Sequence, residues 1–222
     1  MLPRPSVLLL LALVLRPDKE ADILSEFDLA HNKTRVENLQ PGRRIVVLGT
    51  TGSGKTTLAR QLGQQLGLVH VELDALHWNP GWIETDRAVF RKHTEQALQG
   101  NSWVVDGNYS KVRDITWGRA DTLVWLDYRF WLVFGRLTRR TFSRITTKQL
   151  ICNGNRETFR DTFMSRNSIL LWAIQTHNKR RKEYPVLFTQ PEYAHLQIIR
   201  LTSPQATNRW RANLASTRAT HR

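Results

Sequence analysis

The chain has 222 residues, of which 41% are hydrophobic and 23% charged, a composition that predicts a folded globular protein and argues against wholesale disorder. Its single cysteine, Cys152, excludes an intramolecular disulfide and a cysteine-based metal cluster, which favours a cytoplasmic location. The net charge is +14, and residues 129–182 carry 13 basic residues but only two acidic ones. This uneven charge indicates an anionic partner that is met at one place, such as nucleotide phosphates, nucleic acid or an acidic membrane surface.

Residues 1–43 are interpreted as an N-terminal extension. Val7–Leu15 is an apolar run that follows Arg4 and is similar to the core of a signal peptide. It is too short to span a bilayer, which takes about 20 residues, and no small-residue cleavage site follows it. We therefore expect a poorly ordered or non-native extension, with a weak signal sequence as the alternative, and no transmembrane segment.

From Arg44 the pattern becomes that of a strand, a glycine-rich loop and a helix. Ile45–Leu48 is a short apolar run rich in β-branched residues, which is typical of a strand buried on both faces. It leads directly into Gly49–Thr56 (GTTGSGKT), after which leucines recur every four residues until Gly67. The order of these elements and the spacing within the loop predict a phosphate-binding loop.

Each residue type in this loop suits the binding of phosphate. The glycines permit backbone conformations in which successive N–H groups face phosphate oxygens, and the helix that follows adds a favourable dipole. Lys55 is expected to reach the β- and γ-phosphates, and the Thr56 hydroxyl is expected to bind Mg²⁺. The residues predicted to bind ATP are Gly49, Thr50, Thr51, Gly52, Ser53, Gly54, Lys55, Thr56 and Thr57.

The remainder of the chain predicts alternating strands and helices. Strands are expected at 69–73, 103–105, 122–126 and 196–201, and helices at 85–99, 130–145, 158–182 and 204–215. Thr85 and Ser203 are predicted to cap two of these helices. The alternation predicts a parallel, three-layer sheet with ligands at the carboxyl ends of its strands. Asp74, Asp106 and Asp127 follow three strands at that edge, although for Asp127 a turn or capping role is expected.

These residues resemble the adenylate-kinase-like P-loop kinases. The similarity is carried by Gly49–Thr56, by the turn Asp106-Gly107-Asn108-Tyr109, and by Arg136 with Arg140 four residues later. Within that group, residues 73–82, 105–109 and 153–157 are most similar to bacterial proteins labelled DNA topology modulation protein. The resemblance covers 44–215, leaves a tail at 216–222, and implies a three-layer α/β P-loop NTPase fold. Its five parallel strands would lie in the order 2-3-1-4-5, with a helical lid at 136–166.

The resemblance also implies roles for individual residues. Asp106 stands where such kinases hold Mg²⁺ through water, and Asp74 stands where smaller relatives keep a carboxylate that faces the substrate hydroxyl. The predicted catalytic residues are Lys55, Asp74, Asp106, Arg136, Arg140 and Arg156. Thr56 and Asp106 form the predicted metal site, to which Thr56 contributes its hydroxyl. The residues predicted to bind the acceptor are Asp74, Trp78, Trp82, Asn108 and Tyr109.

Several positions have a second interpretation or depart from the family. Adenylate kinases continue the turn after the third strand with Pro-Arg, which helps to hold AMP, whereas Asn108-Tyr109-Ser110 stands here and argues against adenylate kinase activity itself. Trp78 and Trp82 fit core packing as well as a wall of the acceptor site. His77 is expected to pack rather than to act as a base, and Lys179–Lys182 is expected to be a solvated basic face.

The predicted function is an ATP- and Mg²⁺-dependent phosphotransferase that acts on a nucleotide, a nucleoside or another small hydroxylated metabolite. Such a reaction depends mainly on positioning and on neutralising charge, which suits the lysine and the arginines named above. The alternative is a nucleic-acid-associated P-loop ATPase or regulator of the DNA topology modulation type. The net charge favours that alternative, but no helix-turn-helix, zinc-finger or RNA-binding signature supports it. A P-loop protein that binds nucleotide without turnover is the third hypothesis.

Overall fold

A computed structural model describes residues 36–147, 150–151, 153–156 and 169–219, with the side chains of all of these except 151, 156, 169–172 and 215–219. Five strands form a parallel sheet: β1 (Arg44–Gly49), β2 (Val69–Glu72), β3 (Trp103–Asp106), β4 (Thr122–Leu126) and β5 (Gln197–Leu201). They lie in the order β2-β3-β1-β4-β5. The predicted order 2-3-1-4-5 is therefore confirmed.

Helices cover the sheet and connect its strands. They are α1 (Lys55–Leu66), α2 (Leu73–His77), α3 (Arg87–Ala97), α4 (Arg113–Arg119), α5 (Phe130–Thr146), α6 (Ile169–Phe188) and α7 (Pro204–Ala219). Two short antiparallel pairs lie outside the sheet, one between Trp78–Asn79 and Ile83–Glu84 and the other between Leu150–Ile151 and Asn155–Arg156. Among the residues described, none of the helices is both long and apolar enough to cross a membrane.

The side chains of the sheet alternate between two cores, as expected for strands that are buried on both faces. On one face, Val46 of β1 belongs to a core that Trp117 of α4 and residues of α3 and α6 complete. On the other face, Val47 packs with Leu62 of α1 and Trp210 of α7. The molecule consequently has the predicted three-layer α/β fold, with helices on both faces of a parallel sheet.

The folded domain includes residues that precede the boundary expected at residue 44. Val36 and Leu39 pack against the core beneath α7, and the indole N–H of Trp210 donates to the carbonyl oxygen of Leu39 at 2.8 Å. Arg209 also pairs with Glu37 at 2.7 Å. The domain thus begins no later than Val36, because these two apolar side chains are part of what α7 buries. The first 35 residues lie outside the described part of the chain.

Helix α3 is capped by a different residue from the one predicted. Asp86 Oδ1 accepts hydrogen bonds from the backbone N–H groups of Ala88 and Val89 at 2.8 and 3.2 Å, so Asp86 is the N-cap. The Thr85 hydroxyl donates instead to the carbonyl oxygen of Leu76 at 3.0 Å. The prediction of Thr85 as the N-cap is wrong because its hydroxyl is hydrogen-bonded to Leu76 instead of to the first turn of α3.

The other helices agree with the sequence in part. Ser203 caps α7 as predicted, since its Oγ accepts from the N–H of Ala206 at 3.1 Å. Helix α4 is not predicted, because seven residues are too few to establish a helical period. Residues 157–168, which include the start of the helix predicted at 158–182 and most of the expected lid beyond α5, lie outside the described residues.

Candidate nucleotide and acceptor site

The loop between β1 and α1 has the backbone of a phosphate-binding loop. Gly52 and Gly54 have φ angles of 89° and 96°, which glycine adopts without a steric penalty. The N–H of Ser53 donates to the carbonyl oxygen of Thr50 at 3.0 Å and closes the turn. Helix α1 begins at Lys55, so its N-terminus lies at the carboxyl edge of the sheet, where a phosphate group is favourably placed.

Helix α5 packs directly against this loop. A Cβ atom at Gly52 would lie 2.8 Å from the carbonyl oxygen of Val133 and 2.9 Å from Cβ of Leu137, so only glycine fits there. The contact brings α5, which carries Arg136 and Arg140, to the loop. The two arginines differ in surroundings. The Arg136 guanidinium lies over the ring of Tyr128, 5.8 Å from its centroid, whereas the charge of Arg140 influences the pKa of Lys55.

Lys55 lies where charges of both signs converge. Burial lowers the pKa of its ammonium from 10.5 to about 8. Asp74 and Asp106 act against this effect, whereas Arg180 and Arg140 add to it. The charges of Arg140 on α5 and Arg180 on α6 both influence the pKa of Lys55, and sequence reasoning did not include Arg180 in the site. A site with this many cations is suited to bind an anion.

Asp106 links α1 to β2. The hydroxyl of Thr56 donates to Oδ2 of Asp106 at 2.6 Å, and Nε2 of His70 lies 2.8 Å from Oδ1 of the same carboxylate. Thr56 and Asp106 thus lie together as predicted for the metal site. His70 was missed, and the signal available for it is its place in β2 between the apolar residues Val69 and Val71.

Asp74 lies in α2 rather than at the end of a strand, because β2 ends at Glu72. The hydroxyl of Tyr109 donates to Oδ1 of Asp74 at 2.6 Å. Burial and the neighbouring charges of Asp106 and Asp74 raise the pKa of the Glu72 carboxyl. Asp74 and Asp106, the two carboxylates that influence the pKa of Lys55, thus have Tyr109 and Glu72 as neighbours.

Asn108 joins the acceptor side of the site to the phosphate-binding loop. Its Nδ2 donates to the carbonyl oxygen of Gly49 at 2.5 Å, and its Oδ1 lies 3.4 Å from the N–H of the same glycine. Three of the residues predicted to bind the acceptor, Asp74, Asn108 and Tyr109, consequently lie next to the loop that is predicted to bind ATP.

The two tryptophans of the predicted acceptor site flank a short hairpin. The ring of Trp78 meets that of Trp82 edge to face at 5.6 Å, and Trp82 is 38% exposed. His77, beside them, is buried and packs against the rings of Phe90 and Tyr109 at 4.9 and 4.5 Å. Burial lowers the pKa of His77, which agrees with the packing role expected for it.

The turn at Asn153-Gly154-Asn155 docks on this hairpin. Asn153 Nδ2 donates to the carbonyl oxygens of Ala75 and Trp78 at 2.8 and 2.7 Å. Asn155 is buried, accepts from the N–H of Trp82 at 2.8 Å and donates to the preceding hairpin strand at 2.9 Å. The backbone of Arg156 pairs with Leu150, whereas the side chain predicted to reach ATP lies outside the described atoms.

The basic run at 179–182 is only partly a solvated face. Lys179 and Lys182 are exposed, but Arg180 and Arg181 are partly buried. Arg181 Nε lies 2.8 Å from Oδ1 of Asp127. The expectation of a solvated face is therefore wrong for the two arginines, because α6 turns them toward the sheet.

Asp127 is an ion-pair partner and not the turn or cap that was expected. It is buried, and its Oδ2 accepts from Nε and Nη2 of Arg200 at 3.0 and 2.5 Å. With Arg181 on its other oxygen, the carboxylate joins β4, β5 and α6. This arrangement compensates the buried charge and holds α6 beside the phosphate-binding loop.

His177 connects α6 to the loop itself. Its Nδ1 lies 3.3 Å from the hydroxyl of Thr50, and its ring meets that of Phe130 edge to face at 5.4 Å. Burial lowers the pKa of His177 to about 4, so the ring is neutral near pH 7. The sequence did not indicate this contact, because a lone histidine on a helix carries no signal for its partner.

Comparison with known proteins gives structural likeness without sequence support. No family model matches the chain, and no curated protein matches it. A gluconokinase from Sinorhizobium meliloti 1021 is similar with 20% identity and a TM-score of 0.44, covering 82% of this chain and 95% of that one. Shikimate kinase from Bacteroides thetaiotaomicron has 15% identity and a TM-score of 0.46, covering 80% and 98%. Deoxyadenosine kinase from M. mycoides has 10% identity and a TM-score of 0.47, covering 80% and 99%.

At such low identities and TM-scores, the assignment of the fold rests on the chain's own strand order and phosphate-binding loop. Those two features give the three-layer α/β fold of a P-loop NTPase.

Proposed function

We propose that the protein is an ATP-dependent phosphotransferase that acts on a hydroxyl group of a nucleotide, a nucleoside or another small hydroxylated metabolite. One observation carries the proposal: Tyr109 donates to Asp74 at 2.6 Å while the neighbouring Asn108 donates to Gly49, so a carboxylate stands beside the phosphate-binding loop. Asp74 belongs to α2, outside the phosphate-binding loop. A carboxylate in this position can orient an acceptor hydroxyl next to a bound γ-phosphate and take its proton.

The residues around Thr56 fit a magnesium ion. A hydroxyl and a carboxylate 2.6 Å apart, at the N-terminus of α1, are oxygen ligands of the kind that Mg²⁺ prefers. Thr56 would hold the ion directly, and Asp106 would hold it through water. When bound, the ion would neutralise negative charge on the β- and γ-phosphates.

Backbone and side-chain groups of the chain would bind and orient the two substrates. The loop N–H groups and Lys55 would hold the phosphates, while Arg140 and Arg180 would neutralise charge on the transferred group. Asp74 would orient the acceptor hydroxyl and take its proton. The hydroxyl oxygen would bond to the γ-phosphorus as the bond from that phosphorus to the β–γ bridging oxygen breaks, which leaves ADP.

The remaining predicted residues have supporting roles in this proposal. Asn108 and Tyr109 would fix the acceptor side against the loop, and Trp78 with Trp82 would form a wall for a planar or apolar part of the acceptor. Arg136 lies over the ring of Tyr128, and its predicted contact with phosphate stays a prediction. The contribution of Arg156, and the cytoplasmic location, stay predictions.

The competing proposal is a P-loop ATPase that acts on nucleic acid. The net charge of +14 and the excess of basic residues at 129–182 favour it. The partial burial of Arg180 and the pairing of Arg181 with Asp127 weaken it, because these two cations are directed into the domain.

The deciding experiment measures ADP formation from MgATP with a panel of nucleosides, nucleotides and small hydroxylated metabolites. Acceptor-dependent ADP formation that Lys55→Ala abolishes and Lys92→Gln retains supports the phosphotransferase. Lys92 is exposed on α3 and gives a matched loss of charge outside the site. Fluorescence anisotropy with duplex DNA is run in parallel. Tight binding that falls steeply with salt, without acceptor-dependent turnover, would overturn the proposal in favour of the nucleic-acid ATPase.

A further inference from the structure

A second space adjoins the transfer site, and Asn108, which contacts Gly49 of the phosphate-binding loop, lines it. It is a cavity of about 620 Å³ between the segment that holds Asn108 and Ser110 and one side of α6. A volume of this size suits a metabolite or a nucleotide. Its charged lining residues are Arg113, Lys179, Arg180, Lys182 and Glu183. The cavity is therefore lined by four cations and one carboxylate.

Cations lie around both the transfer site and the cavity, and Arg180 belongs to both groups. Arg140 and Arg180 both act on Lys55, at the end where the donor phosphates are expected. Arg180 lines the cavity together with Arg113, and the charges of Arg113 and Asp74 both influence its pKa. The charge of Arg113 also influences the pKa of Tyr184, which lines the cavity from α6.

Arg113 is held in place independently of any ligand. Its guanidinium carbon lies 5.0 Å from the ring centroid of Trp117, one turn along α4, and that ring is buried. Cation–π contact of this kind fixes the side chain while leaving its N–H groups able to donate. Lys179 and Lys182 are exposed at the cavity's outer side.

We infer that this cavity binds an anionic group of the acceptor, so that the substrate is a hydroxylated small molecule that already carries a phosphate or a carboxylate. This inference rests on the proposed function and narrows it. Asn108 lines the cavity and also contacts Gly49, so the cavity adjoins the phosphate-binding loop. An acceptor with its hydroxyl at Asp74 can place its anion at Arg113.

Charge gives the physical reason for selectivity. The transfer site already holds the carboxylates Asp74 and Asp106 and will receive the charge of ATP, so an anionic acceptor needs cations of its own. Arg113, Lys179 and Lys182 supply them apart from Lys55. A neutral acceptor would displace water from these cations without giving them an anionic partner, and Lys179 would keep only its surface pair with Glu183 at 3.6 Å.

Binding of a simple anion tests the cavity without turnover. The protein is saturated with Mg²⁺ and a non-hydrolysable ATP analogue, which fills the phosphate-binding loop, and is titrated by calorimetry with inorganic phosphate and, separately, with acetate. Wild type and Lys92→Gln should bind at least one of them, and Arg113→Gln and Lys182→Gln should bind it about 10- to 100-fold more weakly, as for a lost charge-assisted hydrogen bond. Preference for phosphate or for acetate identifies the kind of anion.

Matched acceptors test the consequence for the reaction. ADP formation is compared within pairs that differ only in the anion: glucose with gluconate, adenosine with AMP, and thymidine with dTMP. The anionic member should have the higher kcat/KM, and Arg113→Gln should raise its KM about 10- to 100-fold while leaving the neutral member unchanged. Lys182→Gln, on the exposed side, provides a second variant if Arg113→Gln does not fold.

The outcomes separate this inference from the proposed function. Acceptor-dependent turnover in which neutral members react as well as anionic ones, or anion binding unaffected by Arg113→Gln and Lys182→Gln, overturns the inference and leaves the phosphotransferase standing. Failure of the ATP analogue to bind overturns the proposed function instead. In that case phosphate is titrated into the nucleotide-free protein, where loss of binding with Arg113→Gln but not with Lys55→Ala supports the anion site.

Discussion

His70 and Asp106 lie on neighbouring strands, and Nε2 of the histidine is 2.8 Å from Oδ1 of the aspartate. The other carboxylate oxygen accepts from Thr56. Asp106 is therefore fixed on both of its oxygens, from β2 and from α1, and it is only 3% exposed. A carboxylate held in this way is preorganised to orient water around a metal ion.

Asp106→Asn should raise the Mg²⁺ concentration needed for half-maximal turnover by about 10- to 100-fold, the usual effect of losing a group that holds a metal through water. The measurement is a Mg²⁺ titration of ADP formation at fixed ATP. Asp114→Asn, an exposed carboxylate on α4, is the control. An unchanged Mg²⁺ requirement in Asp106→Asn would show that the residue only shapes the turn.

Asp74→Asn should slow phosphoryl transfer by about 10²–10⁴, because the amide can no longer take the acceptor's proton. Tyr109→Phe removes the 2.6 Å hydrogen bond to this carboxylate and should have a smaller effect in the same direction. ATP affinity, measured by calorimetry, should barely change in either variant. Glu95→Gln on the exposed side of α3 is the control. Normal transfer together with lower stability would make Asp74 a structural residue.

Lys55 predicts a dependence of stability on pH in the nucleotide-free protein. Its pKa falls from 10.5 to about 8 on folding, mainly through burial. Below pH 8 both states are protonated and the full cost of burying the charge is present. Between pH 8 and 10.5 the unfolded chain binds a proton that the folded protein does not, so stability should rise with pH, by about 3 kcal/mol in total.

Urea unfolding of wild type and Lys55→Met across this pH range measures the effect. The wild-type free energy of unfolding should increase relative to that of the variant as the pH rises, and Lys92→Met should follow the wild type. Parallel curves for wild type and Lys55→Met would contradict the predicted shift in pKa.

Asp127→Asn should lower the free energy of unfolding by about 3–5 kcal/mol, the range expected when one partner of a buried ion pair is removed and the other is left uncompensated. Arg200, its main partner, is 7% exposed, whereas the Asp114 carboxylate pairs with Arg91 at the surface. Asp114→Asn should therefore change stability far less. Equal effects of the two substitutions in urea unfolding would contradict the importance of burial.

The parts of the site that the sequence predicts well are those with local signals. Gly49–Thr56 is contiguous, so its spacing alone defines the loop and the start of α1. Asp106 follows from the rule that parallel strands end at one edge of a sheet. The order of the five strands is not local, and it was available only through the resemblance to P-loop kinases.

Contacts between distant segments could not be predicted. Asp127 and Arg200 are 73 residues apart, and the direction in which α6 points Arg181 depends on how that helix packs on the sheet. The same holds for His177 and Thr50, which are 127 residues apart. A helical period places residues on a face, but it does not say which neighbour that face will meet.

The docking of Asn153 and Asn155 on the loop at 75–82 has a kinetic consequence. Their side-chain hydrogen bonds join the segment between α5 and α6 to the tryptophan hairpin, so displacing either one carries the other along or breaks those bonds. An acceptor that binds against Trp82 would therefore affect the position of the segment that follows α5, even though the acceptor itself does not contact ATP. The rate at which the hairpin and this segment move would then depend on whether an acceptor is bound.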